Sequence, residues 1–154
     1  MTNAARETLS NQAIGVAGLF YFIALMVHLA EWAALRAPRA VREAATASSY
    51  GGGVAVATDD RAGAEAAAAR SHRVEFLGRL GLVLTVMAAV AHFVSLLGRG
   101  MAADPNRVPW GNMYEFTVSG SFFVTVMYLA LHRKYGLAWM APIVTGFVVT
   151  VLMV

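Results

Sequence analysis

Residues 80–97, LGLVLTVMAAVAHFVSLL, run without a single formal charge. As an α-helix rising 1.5 Å per residue, such a run measures about 27 Å, close to the ~30 Å hydrocarbon core of a bilayer. In lipid a helix satisfies its own backbone polar groups, whereas an open strand leaves them unpaired. The run therefore reads as a transmembrane helix, and that reading decides the fold. Similar charge-free runs occupy residues 9–30, 116–131 and 137–154. The third reaches spanning length once Met113, Tyr114, Glu115 and His132 are counted. The expectation is an all-α, polytopic integral membrane protein with four transmembrane helices.

Composition agrees. Only 14% of the 154 residues are charged, against about 25% in an ordinary soluble domain. Hydrophobic residues make up 58% and mean hydropathy is +0.60. A soluble fold of this length has too little interior to hide so much apolar side chain. With no cysteine, the chain can form no disulfide, thiolate metal site, thiol nucleophile or thioether to haem. The opening MTNAARETLSNQ sets Arg6 beside Glu7, and the apolar run behind it exceeds the roughly 7–15 residues of a signal h-region. It reads as the start of an uncleaved first span.

Charge placement orients the spans. Residues 33–75 carry Arg36, Arg39, Arg42, Arg61, Arg70 and Arg73, and His132–Arg133–Lys134 form a short basic turn. The connection between the second and third spans mixes Arg99 and Arg107 with Asp104 and Glu115. Cytoplasmic connections carry the excess of Lys and Arg, so both termini are expected outside. The chain divides into residues 1–32, a first helix with a short outer N-terminus, residues 33–75, a basic and flexible cytoplasmic loop, and residues 76–154, a three-helix part. Inside the loop, SSYGGGVAVATDDRAGAEAAAA reads as a linker with a frayed helix near its end. There is no internal repeat and no full GxxxG motif. Pro142 is expected to kink the fourth span or close its first turn.

Between the second and third spans lies VPWGNMYEF, residues 108–116. Pro109 stiffens the approach. Asn112 is a good N-cap for the amide three residues on. Glu115 stands where a carboxylate reaches back to the cap's own amide and meets the positive end of the helix dipole. Trp110 and Tyr114 are residue types of the water–lipid boundary. A capped helix start explains most of the motif, and a surface for a planar amphiphile explains the same residues.

Four histidines remain. His28 and His132 fall at similar depth near the inner ends of their spans, where two facing imidazoles would grip a haem iron from both sides. His92 lies within the second span, where an ionisable residue marks a functional site by default. For each, interfacial anchoring or a helix–helix hydrogen bond is the structural alternative. His72 sits in the solvated basic flank, and Glu31 beside Trp32 reads as an interfacial pair. Phosphate-binding, dinucleotide, HExxH and GxSxG patterns are absent. The basic loop lacks the aromatic residues of a nucleic-acid surface.

The run RGMAADPNRVPWGNMYEFTVSGSFF, followed by YLALHRKYGLAWMAPIV, resembles the N-terminal half of the CcsB/CcsA (ResC-like) c-type cytochrome biogenesis proteins, particularly actinobacterial ones. The resemblance covers most of the chain from Arg79 and, more loosely, the first span. It implies a multi-pass protein of the bacterial plasma membrane. With a ResB-type partner, it would carry haem b to the outer face and attach it to the CxxCH thiols of apocytochrome c. Trp110, Gly111, Asn112, Tyr114 and Glu115 match the outer motif and become the expected haem-handling residues. Arg99 joins them as a neighbour of the haem propionates, and His92 by its intramembrane position. No catalytic residue is assigned. The family's tryptophan-rich segment and its histidine ligands have no counterpart up to Val154, so the chain is expected to be a front half, incomplete as a cytochrome c synthase by itself. Two other functions remain open: a small respiratory-type subunit with haem b between His28 and His132, or a structural assembly factor.

Overall fold

The computed structural model describes residues 2–49, 60–103 and 107–153. Its elements are α1 (Asn3–Ser49), α2 (Asp60–Ala102), α3 (Met113–Tyr135), a 3₁₀ turn (Leu137–Met140) and α4 (Ala141–Met153). Among the described residues there is no strand. Three stretches are long and apolar enough to cross a membrane: Asn3–Arg36 of α1, Ala67–Ala102 of α2, and all of α3. The fourth charge-free run forms a shorter apolar helix, Leu137–Met153. Gly136 ends α3 with a positive φ of 63° and its N–H bonded to the His132 carbonyl. The chain then tightens into the 3₁₀ turn, and α4 restarts at Ala141. Pro142 sits in the first turn of α4, where its missing N–H costs nothing. Of the two roles expected for Pro142, it takes the second. Helix replaces much of the expected loop, since α1 continues to Ser49 and α2 begins at Asp60. The centre of the linker, residues 50–59, lies outside the described residues.

The antiparallel pair of α1 and α2 is the backbone of the bundle. On α1 the buried positions are Ser10, Ala17, Tyr21, Ala24 and His28; on α2 they include Thr85, Ala88, His92 and Ser95. From Ala17 on α1, and along α2, these repeat every three or four residues, with Ser10 one heptad before Ala17, the spacing of a seam between supercoiled helices. Most are small, which is how membrane helices approach closely when lipid supplies no hydrophobic drive between them. At one end of the pair, each serine hydroxyl donates to the other's carbonyl, Ser10 to Ser95 at 2.9 Å and Ser95 to Ser10 at 2.9 Å. Toward the other end, Gly78 and Gly81 of α2 lie under the Glu31 carboxylate and the His28 ring. A β-carbon at Gly78 would stand 2.8 Å from the Glu31 oxygen, and one at Gly81 would collide with the imidazole.

Tyr21 joins all four helices. It is fully buried with Ala17, Ala88 and Val148, and its hydroxyl lies 3.3 Å from the Thr125 hydroxyl on α3. Its ring meets that of His92 edge-on at 6.0 Å. A second cluster, Tyr128, Ala141 and Val144, closes α4 against α3. The other buried hydroxyls mostly return to their own helix. Thr85, Thr125 and Thr145 each donate to the carbonyl four residues earlier, and Ser121 to the one three residues earlier, the usual resolution for such groups inside a helix.

Candidate functional site: an apolar cavity beneath the VPWGNMYEF turn

The motif folds back over the end of α2. The Arg107 amide donates to the Gly100 carbonyl at 3.3 Å, and only a glycine admits that approach, since a β-carbon at Gly100 would lie 2.8 Å from the Arg107 oxygen. The Trp110 amide then donates to the Val108 carbonyl at 2.8 Å in a tight turn. Asn112 caps α3 as its sequence demands, its side-chain oxygen accepting from the Glu115 amide at 2.8 Å. The Glu115 carboxylate turns one residue further than expected. It accepts from the Gly111 amide at 2.7 Å rather than from the cap's own. That shift ties the whole turn to the helix and buries Glu115. Asn112→Ala is expected to cost about 1 kcal/mol, readable as a lower unfolding midpoint by circular dichroism in detergent.

Beneath the turn, between α2 and α3, lies an apolar cavity of about 570 Å³. Phe93, Leu96 and Leu97 wall it on α2, Phe122 and Phe123 on α3, and residues 107–110 roof it. The rings of Phe93 and Phe122 stack within these walls, their centres 5.7 Å apart. Its volume falls in the ~300–1,000 Å³ range of small-molecule and cofactor sites. Phe93, Leu97, Phe123 and Trp110 are each about half exposed, so the cavity opens sideways onto the apolar surface of the bundle. Arg107 borders both this cavity and a smaller polar one of about 140 Å³ that also touches Glu7, Arg99 and Glu115. Arg99 spans from Asn11, 3.2 Å away, to the face of Tyr114, 5.0 Å from the ring centre.

The expected site residues thus divide. Trp110 lines the apolar cavity, while Arg99 and Glu115 line the polar one. Gly111 lies directly under the Arg107 guanidinium, which leaves no room there for a β-carbon. Asn112 shapes the turn and touches neither cavity. Tyr114 lies on the opposite flank of α3, against α4 and α1. His92 is fully buried one layer behind the cavity, in edge contact with Phe122 at 5.4 Å. The Val118 backbone approaches it, yet neither ring nitrogen has a hydrogen-bond partner of proper geometry among the described residues. An unpaired imidazole inside a span is costly, and no other buried side chain among the described residues is left in that state.

His28 and His132 do share a cavity, at the far end of the bundle, with Glu31, Gly78, Arg79 and Tyr128. At about 280 Å³ it has half the volume of the first. The His28 ring is already engaged on both sides, with Glu31 at 3.3 Å and Thr85 at 3.4 Å. His132 turns toward its own helix, 3.4 Å from the Leu129 carbonyl. Glu31 therefore serves His28, and the Trp32 ring is covered instead by Arg36 at 5.1 Å. His72 is exposed. Among the described residues no three carboxylates and imidazoles converge as a metal site.

Arg107, Ser119 and the apolar walls, Phe93, Leu97 and Phe122 among them, are site residues that the sequence did not single out. Phe122 is hidden in an apolar run. Arg107 and Ser119 carry a usable signal: a charge directly before the motif, and a hydroxyl in an apolar run that must find a partner, here the Pro109 carbonyl at 3.1 Å. The fold and site together define an all-α protein with three helices long and apolar enough to cross a membrane and an apolar pocket that opens on the flank of the bundle. No family model, curated protein or solved structure matches the chain.

Proposed function

We propose that this chain is the haem-handling part of a c-type cytochrome biogenesis protein in a bacterial plasma membrane. Haem is its cargo, received in the cavity under VPWGNMYEF and presented to an apocytochrome c alongside a ResB-type partner. The observation that carries this reading is the coincidence of the motif that bears the resemblance with an apolar cavity of about 570 Å³. The lining suits a flat tetrapyrrole: aromatic walls for the ring, an indole at the roof, and a guanidinium at the polar rim. Bound haem supplies the vinyl groups that react with the CxxCH thiols of the acceptor. This chain would hold the ring, set its depth and exclude water from its apolar face. His92 is the nearest unused imidazole, one phenyl ring behind the cavity.

In this proposal all four apolar runs cross the bilayer, Leu137–Met153 as its shortest span. Both termini lie outside, as the basic residues 36–73 and 132–134 require on the cytoplasmic side. The absence of native cysteine makes this testable with a single Val108→Cys substitution. A membrane-impermeant maleimide applied to intact cells is expected to label it. Labelling that requires opened cells would place the motif on the wrong side for the proposed role.

A second reading, haem b held between His28 and His132 for electron transfer, draws on the one cavity they share. It ranks lower for two reasons: that cavity is below the ordinary size of a cofactor site, and ligation would cost His28 its contact with Glu31 or Thr85. A bis-histidine optical spectrum lost in both His28→Ala and His132→Ala would reverse the ranking.

A further inference from the structure

We infer that Arg107, backed by Arg99, is a carboxylate subsite that orients the cargo of the cavity acid-end outward and selects amphiphiles carrying free acid groups. The inference rests on the proposed haem-handling role and adds to it which end of the ligand is recognised, and by what.

Three observations carry it. First, among the described residues Arg107 alone is common to the apolar cavity and the polar cavity beside it. A molecule whose apolar body fills the first therefore meets a guanidinium where its polar end emerges. Second, among the described residues the carboxylate paired with Arg107 is only loosely engaged. Glu115 stands 3.9 Å away, beyond hydrogen-bond reach, and spends its short contact on the Gly111 amide at 2.7 Å. Arg107 is 55% exposed, so its forked donors can turn to an incoming acid, the geometry in which guanidinium and carboxylate bind best. Third, the polar cavity holds a second cation. Arg99 lines it and is fixed by Asn11 and Tyr114, so two guanidinium groups face a ligand with two acid groups. Glu7 and Glu115 line the same space and oppose an anion there. They make the subsite selective rather than a general anion trap, because an acid gains entry only when the apolar cavity also holds its body.

Gly111 fits this role. The Arg107 guanidinium lies against its α-carbon, so any β-carbon there would push the guanidinium off its seat. The rim of the cavity thus depends on a glycine that the helix cap itself does not require.

The test compares haem, with two free carboxylates, against haem dimethyl ester, with the same ring and iron. Each is titrated into the purified full chain in neutral detergent and followed by the absorbance change of the ring. Haem is expected to bind at least about tenfold more tightly than the ester, the scale of one charge-assisted hydrogen bond. In Arg107→Gln that ratio is expected to fall to about one, while Arg107→Lys, a point charge without the fork, keeps part of it. Gly111→Ala, which leaves the charge in place but moves it, should reduce the ratio as well. Arg107 is exposed, so these variants are expected to keep the helical signal of the parent, which circular dichroism checks. Equal, saturable binding of acid and ester by the parent chain overturns the subsite alone. An unchanged ratio in Arg107→Gln does the same. Absence of saturable binding by either compound overturns the haem-handling role and the subsite with it.

Discussion

Tyr21→Ala is expected to lower the stability of the bundle by about 3–5 kcal/mol, the range for removing a large aromatic side chain from a packed interior. Tyr21 is wholly buried and is the point at which α1, α2, α3 and α4 meet, through Ala17, Ala88, Thr125 and Val148. Its loss opens a void that its small neighbours Ala17 and Ala88 cannot fill. It also leaves the His92 ring without the edge contact that packs it. Tyr21→Phe keeps the ring and removes only the hydroxyl, whose bond to Thr125 at 3.3 Å is long. A cost near 0.6 kcal/mol is expected for it, the average for hydrogen bonds between membrane helices. Reversible unfolding in mixed micelles, followed by circular dichroism, separates the two. Similar small losses for both variants would mean that the four helices do not share this centre.

The second large effect is on ligand binding. Leu97 lines the cavity from α2 and is about half exposed, so it contributes to the wall without holding the helices together. Leu97→Trp fills part of the space and is expected to weaken haem binding at least about tenfold, some 1.4 kcal/mol, by overpacking of the kind that costs 1–3 kcal/mol in closed interiors. Val83→Trp places the same side chain on an exposed face of α2 away from the cavity and is expected to bind haem like the parent. Both variants should unfold within about 0.5 kcal/mol of the parent, as exposed substitutions do. Equal losses at positions 83 and 97 would show that the indole acts on the helix rather than on the cavity.

Much of this architecture was legible in the sequence, for a physical reason. A charge-free run of spanning length has few alternatives to a helix in lipid, so α1, α2 and α3 follow from composition alone. The cap at Asn112 was equally legible, because its chemistry is local and the bonding partner lies three residues away. The direction of Glu115 was not. Whether it reaches the amide of residue 112 or of residue 111 depends on how the turn packs over Gly100, which is a tertiary matter. The helix pairing was present but unrecognised. Ala17, Tyr21, Ala24 and His28 repeat in the same three-four rhythm as Gly78, Gly81, Thr85, Ala88, His92 and Ser95, with Ser10 one heptad before Ala17. A search for GxxxG alone passes over that seam, although it uses the same device of small residues at close approach.

The fourth run shows the converse. Its composition reads as one continuous helix from residue 137, but behind the left-handed Gly136 the chain forms a 3₁₀ turn over Leu137–Met140, and the α-helical part begins only at Ala141. The site divides in the same way. The roof of the cavity was legible as a motif, and Trp110 and Glu115 lie where such a motif would act. The walls were not, because Phe93, Leu97 and Phe122 differ in no way from lipid-facing residues until α2 and α3 are placed side by side. The pairing of His28 with Glu31 and Thr85 likewise depends on the space left by Gly81, which no single helix reveals.

Trp110 offers the most direct measurement of the central claim, that the cavity under VPWGNMYEF receives haem. The chain has three tryptophans, and Trp110 alone of them lines that cavity. In the variant carrying Trp32→Phe and Trp139→Phe, all remaining tryptophan emission reports from the cavity roof. Titration with haem is expected to extinguish it saturably, with an end point at one haem per chain and a midpoint that matches the absorbance change. Trp110 emission that persists when haem is bound at saturation would contradict the account.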